Sequence, residues 1–169
     1  MNDHYVIISG TNREGSNSLK VAIQYQQLLK EEGIESSVVS LEDLELAKRN
    51  PAFIALENST LIPAKKIIFI SPEYNGSIPG VLKSMFDISE YKKVWWGKKA
   101  LLVGVSTGRS GNVRGMEHLT SILNYLKVVV HPNKLPISSV DRLLNPQGIM
   151  GDDQTVSAIR TQLEEFIAF

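Results

Sequence analysis

The sequence of 169 residues contains no cysteine. That absence excludes disulfide bonds, thiolate metal sites and a cysteine nucleophile. Histidine is scarce as well, since only His4, His118 and His131 are present, and their wide spacing matches no metal-binding motif. We therefore predict no metal site and no catalytic cysteine or histidine.

An excess of charge of one sign is also missing. Lysine plus arginine number 18 and aspartate plus glutamate number 18, so no overall field attracts nucleic acid or acidic lipid. No segment approaches the roughly 20 apolar residues of a membrane span, and the opening "MNDHYVIISG" lacks the features of a signal peptide. We expect a single cytoplasmic domain over residues 1–169, with no nucleic acid and no membrane among its partners.

Short apolar runs alternate with longer helical patterns along the chain. Apolar residues at helical spacing predict helices within residues 19–33, 51–62, 81–88, 113–126 and 156–167. Such an alternation predicts right-handed βαβ crossovers and a doubly wound α/β sheet. Five segments predict the strands: Tyr5–Ser9, Glu35–Leu41, Lys66–Ser71, Ala100–Ser106 and Lys127–His131.

Ligands of such sheets bind beyond the carboxyl ends of the strands, so the loops there are the first candidates for a binding site. The first loop, "GTNREGSNS", covers residues 10–18 and opens a helix. Its hydroxyls, amides and single guanidinium, together with the positive end of the helix dipole, suit one phosphate monoester. The competing interpretation is that Ser16 or Ser18 only caps the helix and that Arg13 is solvated.

The second loop follows the third predicted strand and reads "PEYNGSIPG". Its Asn75-Gly76 pair favours positive φ, while Pro72 and Pro79 stiffen both sides. A stiff loop can direct successive backbone groups at a planar heterocycle, and Tyr74 can cover an edge or a face of that ring. The alternative is an ordinary tight turn with Tyr74 packed on its own helix.

The third loop, "STGRSGNVRG", covers residues 106–115. Gly108 and Gly111 allow the backbone to approach a ligand closely. Arg109 and Arg114 can meet a second phosphate-bearing molecule, or they are surface residues. Asn112 is a possible N-cap of the helix that follows.

Two of these motifs resemble those of the NAD(P)H-dependent FMN reductases, a family with a flavodoxin-like fold. The first loop is similar to the family's G-[ST]-x-R-x-x-S-x-[NS] pattern. The stretch "PEYNGSIPGVLKSMFD" is very close to P-E-Y-N-x-S-I-P-G-x-L-K-N-x-[IL]-D. The family also includes quinone, azo-dye and chromate reductases. Two positions depart from it: Ser84 replaces an asparagine, and the third loop differs from the G-G variant of many members.

The resemblance implies a five-stranded parallel sheet of order 2-1-3-4-5 with helices on both faces, FMN as the cofactor and NADPH or NADH as the hydride donor. The acceptor would be free flavin, a quinone, an azo compound or a similar small molecule. Because flavin carries the chemistry, no catalytic side chain is expected. The residues implied to contact the phosphate are Thr11, Arg13, Ser16, Asn17 and Ser18; those implied to border the flavin ring are Pro72, Glu73, Tyr74, Asn75 and Gly76 on one side and Ser106, Thr107 and Gly108 on the other. Arg109 and Arg114 are candidates for substrate binding.

Two other classes of function compete with the reductase. A flavodoxin-like electron carrier would bind FMN without reacting with nicotinamide, but such carriers are typically strongly acidic and this chain is neutral. A regulatory protein that has lost the flavin is disfavoured by the three intact loops.

The segment "EYKKVWWGKK" predicts opposite orientations for Trp95 and Trp96, because adjacent residues face different sides of a regular element. One ring packs inward while the other forms an interface or covers a substrate pocket; alternatively, both join an intrachain cluster. The paired lysines are interpreted as solvated flanks. The resemblance implies a homodimer or homotetramer.

Overall fold

A computed structural model describes residues 4–169 as a parallel sheet with helices on both faces. Each pairing between the named strands is parallel. The sheet order is β2-β1-β3-β4-β5, with β6 also paired to β4, which is the flavodoxin-like order and confirms the prediction. The strands are β1 (Tyr5–Ser9), β2 (Ser36–Ser40), β3 (Lys66–Pro72), β4 (Lys99–Val105), β5 (Val129–Val130) and β6 (Leu135–Ile137).

The last sheet position is shared by two short strands, where the sequence predicted one strand over 127–131. β5 pairs with the beginning of β4, and β6 pairs with its end. His131 still donates its N–H to the Ala100 carbonyl at 2.8 Å. The next residue, Pro132, has no N–H to continue the ladder, so the chain leaves the sheet before it returns as β6.

The long helices lie where the periodicity predicts them. Two short helices were not predicted, because a single turn contains too few residues to show periodicity. The helices are α1 (Asn17–Glu31), α2 (Pro51–Leu56), α3 (Gly80–Ile88), α4 (Tyr91–Val94), α5 (Val113–Tyr125), α6 (Val140–Leu143) and α7 (Asp153–Ala168); a π-helical segment, Glu57–Leu61, continues α2. The two unpredicted helices are α4 and α6.

Polar side chains fix the starts of three helices. Ser16 accepts from the Leu19 N–H at 3.2 Å, and Asn50 accepts from the Phe53 N–H at 2.9 Å. Asp152 accepts from the Thr155 N–H at 2.7 Å at the start of α7. These side chains bond backbone N–H groups that have no partner within the helix.

The sheet separates two hydrophobic cores. Along β1, Val6 and Ile8 face the core beneath α3 and α5, whereas Tyr5 and Ile7 face the core beneath α1 and α7. All four side chains are buried, and full burial of an aliphatic side chain, as for Val6, Ile7 and Ile8, contributes about 1.5–3 kcal/mol. This packing fixes the carboxyl ends of β1, β3 and β4 at one edge of the molecule.

The two tryptophans lie at the opposite edge. Trp95 is fully buried against Phe69 and Phe86 and donates its Nε1–H to Ser89 Oγ at 2.6 Å. Trp96 is 39% exposed. Both precede the amino end of β4, at the end of the sheet opposite the three loops, and the two roles considered for the exposed ring, an interface or a cover over a substrate pocket, stay predictions.

The interpretation of the paired lysines as solvated flanks is wrong for Lys98. Lys98 is only 5% exposed, and its Nζ donates to the carbonyls of Leu61 and Ile62 at 2.8 and 3.0 Å. These bonds stabilise the end of the π-helical segment. Burial, reinforced by the charge of Lys65, lowers the pKa of Lys98 to about 8.

Across the described residues 4–169, none of the helices has both the length and the apolar character required to cross a membrane.

Candidate functional site

A cleft of about 450 Å³ opens at the carboxyl ends of β1, β3 and β4. This volume is in the range of small-molecule and cofactor sites. The cleft is lined by every residue that the resemblance assigned to cofactor binding, together with several that it did not. The lining comprises Thr11, Arg13, Glu14, Gly15, Ser16, Asn17, Ser18, Pro72, Glu73, Tyr74, Asn75, Gly76, Val105, Ser106, Thr107, Gly108, Ser110 and Val140.

One end of the cleft is formed by the first loop and the start of α1. Ser16 caps α1, so the interpretation of this residue as a helix cap is confirmed, yet Ser16 also lines the cleft. Thr11 and Ser18 are buried, while Arg13 is exposed. Hydroxyls, a guanidinium and the positive end of the α1 dipole therefore line the same end of the cleft, and such groups together suit a phosphate.

Tyr74 connects the second loop to the first. Its Oη lies 2.8 Å from Thr11 Oγ1, and the Arg13 guanidinium lies 5.3 Å from the centre of its ring. The alternative in which Tyr74 only packs on its own helix is therefore wrong. The ring instead lines the cleft beside the first loop.

The second loop contains a tight turn braced from α5. Tyr74 and Ser77 exchange two backbone hydrogen bonds of 2.9 and 3.0 Å. Asn75 and Gly76 have φ values of 51° and 75°, as a type I′ turn requires. Ser77 Oγ lies 2.8 Å from Nδ1 of His118 on α5. The sequence had no motif that linked His118 to this loop.

The third loop is held to the second by contacts across the cleft. Ser110 donates its hydroxyl to Glu73 Oε2, and the Glu73 N–H donates to the Val105 carbonyl at 3.0 Å. Within the third loop, Ser106 Oγ donates to the Gly108 carbonyl at 2.9 Å and accepts from the Gly111 N–H at 3.0 Å. These bonds give the slot between the two loops a fixed geometry.

The two arginines predicted for substrate binding lie outside this slot. Both Arg109 and Arg114 are exposed, and neither belongs to the part of the cleft lining that residues 4–169 define. A guanidinium nitrogen of Arg114 lies 3.9 Å from the position that a Cβ atom on Gly76 would take. Arg114 therefore stands at the rim, beside the turn of the second loop.

The chemistry of the cleft matches FMN better than a metal ion. In the described part of the chain, no group of three or more His, Asp or Glu side chains is placed to hold a metal. The end of the cleft formed by the first loop continues into a slot bordered by Tyr74 and by the apolar Pro72, Val105 and Val140. This arrangement fits an anionic group attached to a flat ring system. Val140 belongs to no sequence motif, so its part in the lining emerges only from the fold, whereas Ser110 lies within the third loop without having been assigned to the site.

The comparisons with known proteins agree with this geometry. The model of the NADPH-dependent FMN reductase family matches residues 4–141. An NAD(P)H-dependent FMN reductase of Pseudomonas aeruginosa is 30% identical over 168 residues, covering 93% of this chain and 89% of that protein. A 2-hydroxy-1,4-benzoquinone reductase of a Burkholderia species is 27% identical over 63% of this chain and 60% of its own length.

The solved structure of FerB, a flavoenzyme NAD(P)H:(acceptor) oxidoreductase from Paracoccus denitrificans, superposes with a TM-score of 0.81. At 21% identity, with 98% of this chain and 96% of that chain covered, it establishes a shared fold. The family model spans most of the chain, and the cleft lies within the matched region. The protein belongs to the NADPH-dependent FMN reductase family.

Proposed function

We propose that this protein is an FMN-dependent oxidoreductase that takes a hydride from NADPH or NADH and reduces a small acceptor such as free flavin, a quinone or an azo compound. The observation that carries the proposal is a single cleft in which a phosphate-binding loop, a rigid turn and a glycine-containing loop meet. Membership of the reductase family supports the same activity.

In this proposal the first loop holds the FMN phosphate. The amide groups at the start of α1 favour an anion, and Arg13 supplies a charge-assisted hydrogen bond. Arg13 already lies against Tyr74, so less side-chain freedom is lost when the phosphate binds. The residues proposed for this end are Thr11, Arg13, Ser16, Asn17 and Ser18.

The slot between the second and third loops holds the flavin ring. Pro72, Glu73, Tyr74, Asn75 and Gly76 border one side, and Ser106, Thr107 and Gly108 border the other. Glu73 orients its loop, because its carboxylate accepts from the Ser110 hydroxyl and its N–H donates to the Val105 carbonyl on β4. Bound FMN supplies the redox chemistry, accepting a hydride and passing on one or two electrons. The side chains bind and orient it, and no nucleophile is needed.

The hydride donor and the acceptor reach the ring from the open side of the cleft. Asn75, Thr107 and Gly108 are exposed there, and the rim residues Arg109 and Arg114 are proposed to meet the phosphates of NADPH or NADH. We also propose that the protein acts in the cytoplasm, where nicotinamide dinucleotides are available, and that it forms a homodimer or homotetramer.

The test is anaerobic stopped-flow mixing of the FMN-loaded protein with NADPH and, separately, with NADH. We expect rapid bleaching of the visible flavin absorbance by at least one donor, and steady turnover once a quinone or free flavin is added. Dithionite provides the control for a reducible flavin. Bleaching by dithionite with no bleaching by either nicotinamide would identify an electron carrier, and a purified protein that binds no FMN would exclude both assignments.

A further inference from the structure

A row of three residues crosses the sheet immediately below the cleft. Ser71 on β3 is in register with Gly104 on β4, and Gly104 is in register with Pro136 on β6. The next row toward the cleft contains Pro72 and Val105, both of which line it. Any element that fixes the first row therefore fixes the floor of the proposed ring slot.

The end of the third loop, Gly111 and Asn112, lies across this row. A Cβ atom on Gly104 would stand 2.0 Å from the Gly111 carbonyl oxygen, and one on Gly111 would stand 2.6 Å from Pro136 Cβ. Both distances are far shorter than van der Waals contact. The loop therefore packs directly on the sheet backbone, with Gly111 and Asn112 at φ values of 57° and 62°.

Asn112 extends this contact to the neighbouring strand. Its side chain is fully buried, and Nδ2 donates to the Ser71 carbonyl at 2.8 Å. Its Oδ1 has no hydrogen-bond partner in the described part of the chain and lies 2.0 Å from the position that a Cβ atom on Gly115 would take. The side chain is held between β3 and the first turn of α5, and it makes no bond that caps this helix.

A buried asparagine with a left-handed backbone and an unpaired carbonyl is costly. The bond to Ser71 offsets part of this cost. Ser71 directly precedes Pro72 and Glu73, while Asn112 ends the loop that begins at Ser106. We infer that Asn112 is a positioning residue that sets the separation between the two loops bordering the flavin ring. The inference rests on the proposed function, because it assumes that the ring lies between these loops.

The first test is Asn112→Gly, which keeps the left-handed backbone accessible and removes the amide. We expect the Kd for FMN to rise about tenfold, the size of one lost buried hydrogen bond. A displaced ring wall should also shift the flavin absorbance maxima and midpoint potential and slow bleaching at saturating NADPH. The matched control is Asn50→Gly, which removes the N-cap of α2. It should lower stability and leave the flavin spectrum, potential and Kd unchanged.

Gly115→Ala tests the same contact from α5. Its methyl group would collide with Asn112 Oδ1, so this variant should show the same spectral and potential shifts as Asn112→Gly. In the double variant the collision is absent, and Gly115→Ala should add nothing to the effect of Asn112→Gly. If Asn112→Gly does not fold, the Gly115→Ala variant decides the question.

Wild-type Kd, spectrum and potential in a folded Asn112→Gly or Gly115→Ala protein would overturn the inference, as would fully additive effects in the double variant. Failure of the proposed site has a different signature. In that case Arg13→Ala would leave FMN affinity unchanged, whatever the Asn112 variants do.

Discussion

At the scale of single residues, Arg13 has the clearest proposed role. Its guanidinium lies over the Tyr74 ring at the end of the cleft where α1 begins. We predict that Arg13→Ala weakens FMN binding at least tenfold, because a charge-assisted hydrogen bond to the phosphate is lost. Binding of riboflavin, which has no phosphate, should change little. Quenching of flavin fluorescence on titration of the apoprotein measures both affinities.

Arg13→Lys is the matched variant. It keeps the charge and loses the planar guanidinium that stacks on Tyr74, so its affinity for FMN should fall between those of the wild type and Arg13→Ala. A wild-type protein that bound FMN and riboflavin equally well would contradict the assignment of a phosphate site to this loop.

Where the residues that line the cleft are contiguous in the sequence, the sequence alone indicated that they lie together. Thr11 to Ser18 and Pro72 to Gly76 form two loops, so their order along the chain already indicates proximity. Contacts between distant residues could not be predicted in this way. Asn112 is a residue type that commonly caps helices, yet its side-chain amide donates to the Ser71 carbonyl on β3. The contact of His118 with Ser77 likewise depends on where α5 packs.

At the scale of secondary-structure elements, α7 offers a pH-dependent test. Asp152 accepts from the Thr155 hydroxyl at 2.6 Å and from the Thr155 N–H at 2.7 Å. These two bonds stabilise the carboxylate and lower the pKa of Asp152 from its ordinary value of 3.8. Because the pKa is lower in the folded protein than in the unfolded chain, the contribution to stability is present above pH 3.8. It is lost as the pH falls through the folded-state pKa.

We therefore predict that Asp152→Asn lowers the free energy of unfolding at pH 7 and that the difference from wild type shrinks as the solution is acidified below pH 3.8. Asparagine can still accept a hydrogen bond at the N-cap, so the variant isolates the charge. Urea denaturation at a series of pH values measures the difference. Asp43→Asn changes an exposed loop carboxylate and serves as control. A difference that stays constant with pH would refute the predicted linkage.

Helices with a clear apolar repeat were predicted at the correct positions. Elements whose bounds depend on one or two residues, and helices of a single turn, were not. The apolar stripes of α5 and α7 gave correct positions. The division between β5 and β6 depends on Pro132 and on a return of the chain to β4. Neither α4 nor α6 contains enough residues for an amphipathic repeat, so both required the tertiary structure.

At the scale of the whole molecule, the alternation of strands and helices predicted a doubly wound sheet and the edge where the cleft forms, while the order of the strands was implied by the family resemblance. The fold also places the cleft and the segment around Trp96 at opposite ends of the sheet, an arrangement that the sequence did not determine. The cleft lies at the carboxyl edge, while the contacting pair Tyr91 and Trp96 precedes the amino end of β4, and Tyr125 and Val129 lie at the end of α5 and in β5. These four exposed residues, three of them aromatic, are called the aromatic patch. Each of these four residues is exposed, Tyr125 by 87%. The prediction of one domain over residues 1–169 stays a prediction.

The last prediction concerns assembly through this aromatic patch. Exposed apolar side chains that lie together mark interaction surfaces, and β5 is at an edge of the sheet. Trp96 is already ordered by Tyr91 at 6.0 Å and by Lys127 Nζ at 3.9 Å from its ring centre, so it would lose little freedom on burial. We predict that the FMN-loaded protein sediments as a dimer or larger species at micromolar concentration and that Tyr125→Asp shifts it toward the monomer. Ile23→Asp, which places the same charge at a residue of α1 that is 51% exposed, should leave the assembly intact. A wild-type monomer with flavin bound would exclude the assembly, and equal dissociation by both variants would exclude the aromatic patch as its interface.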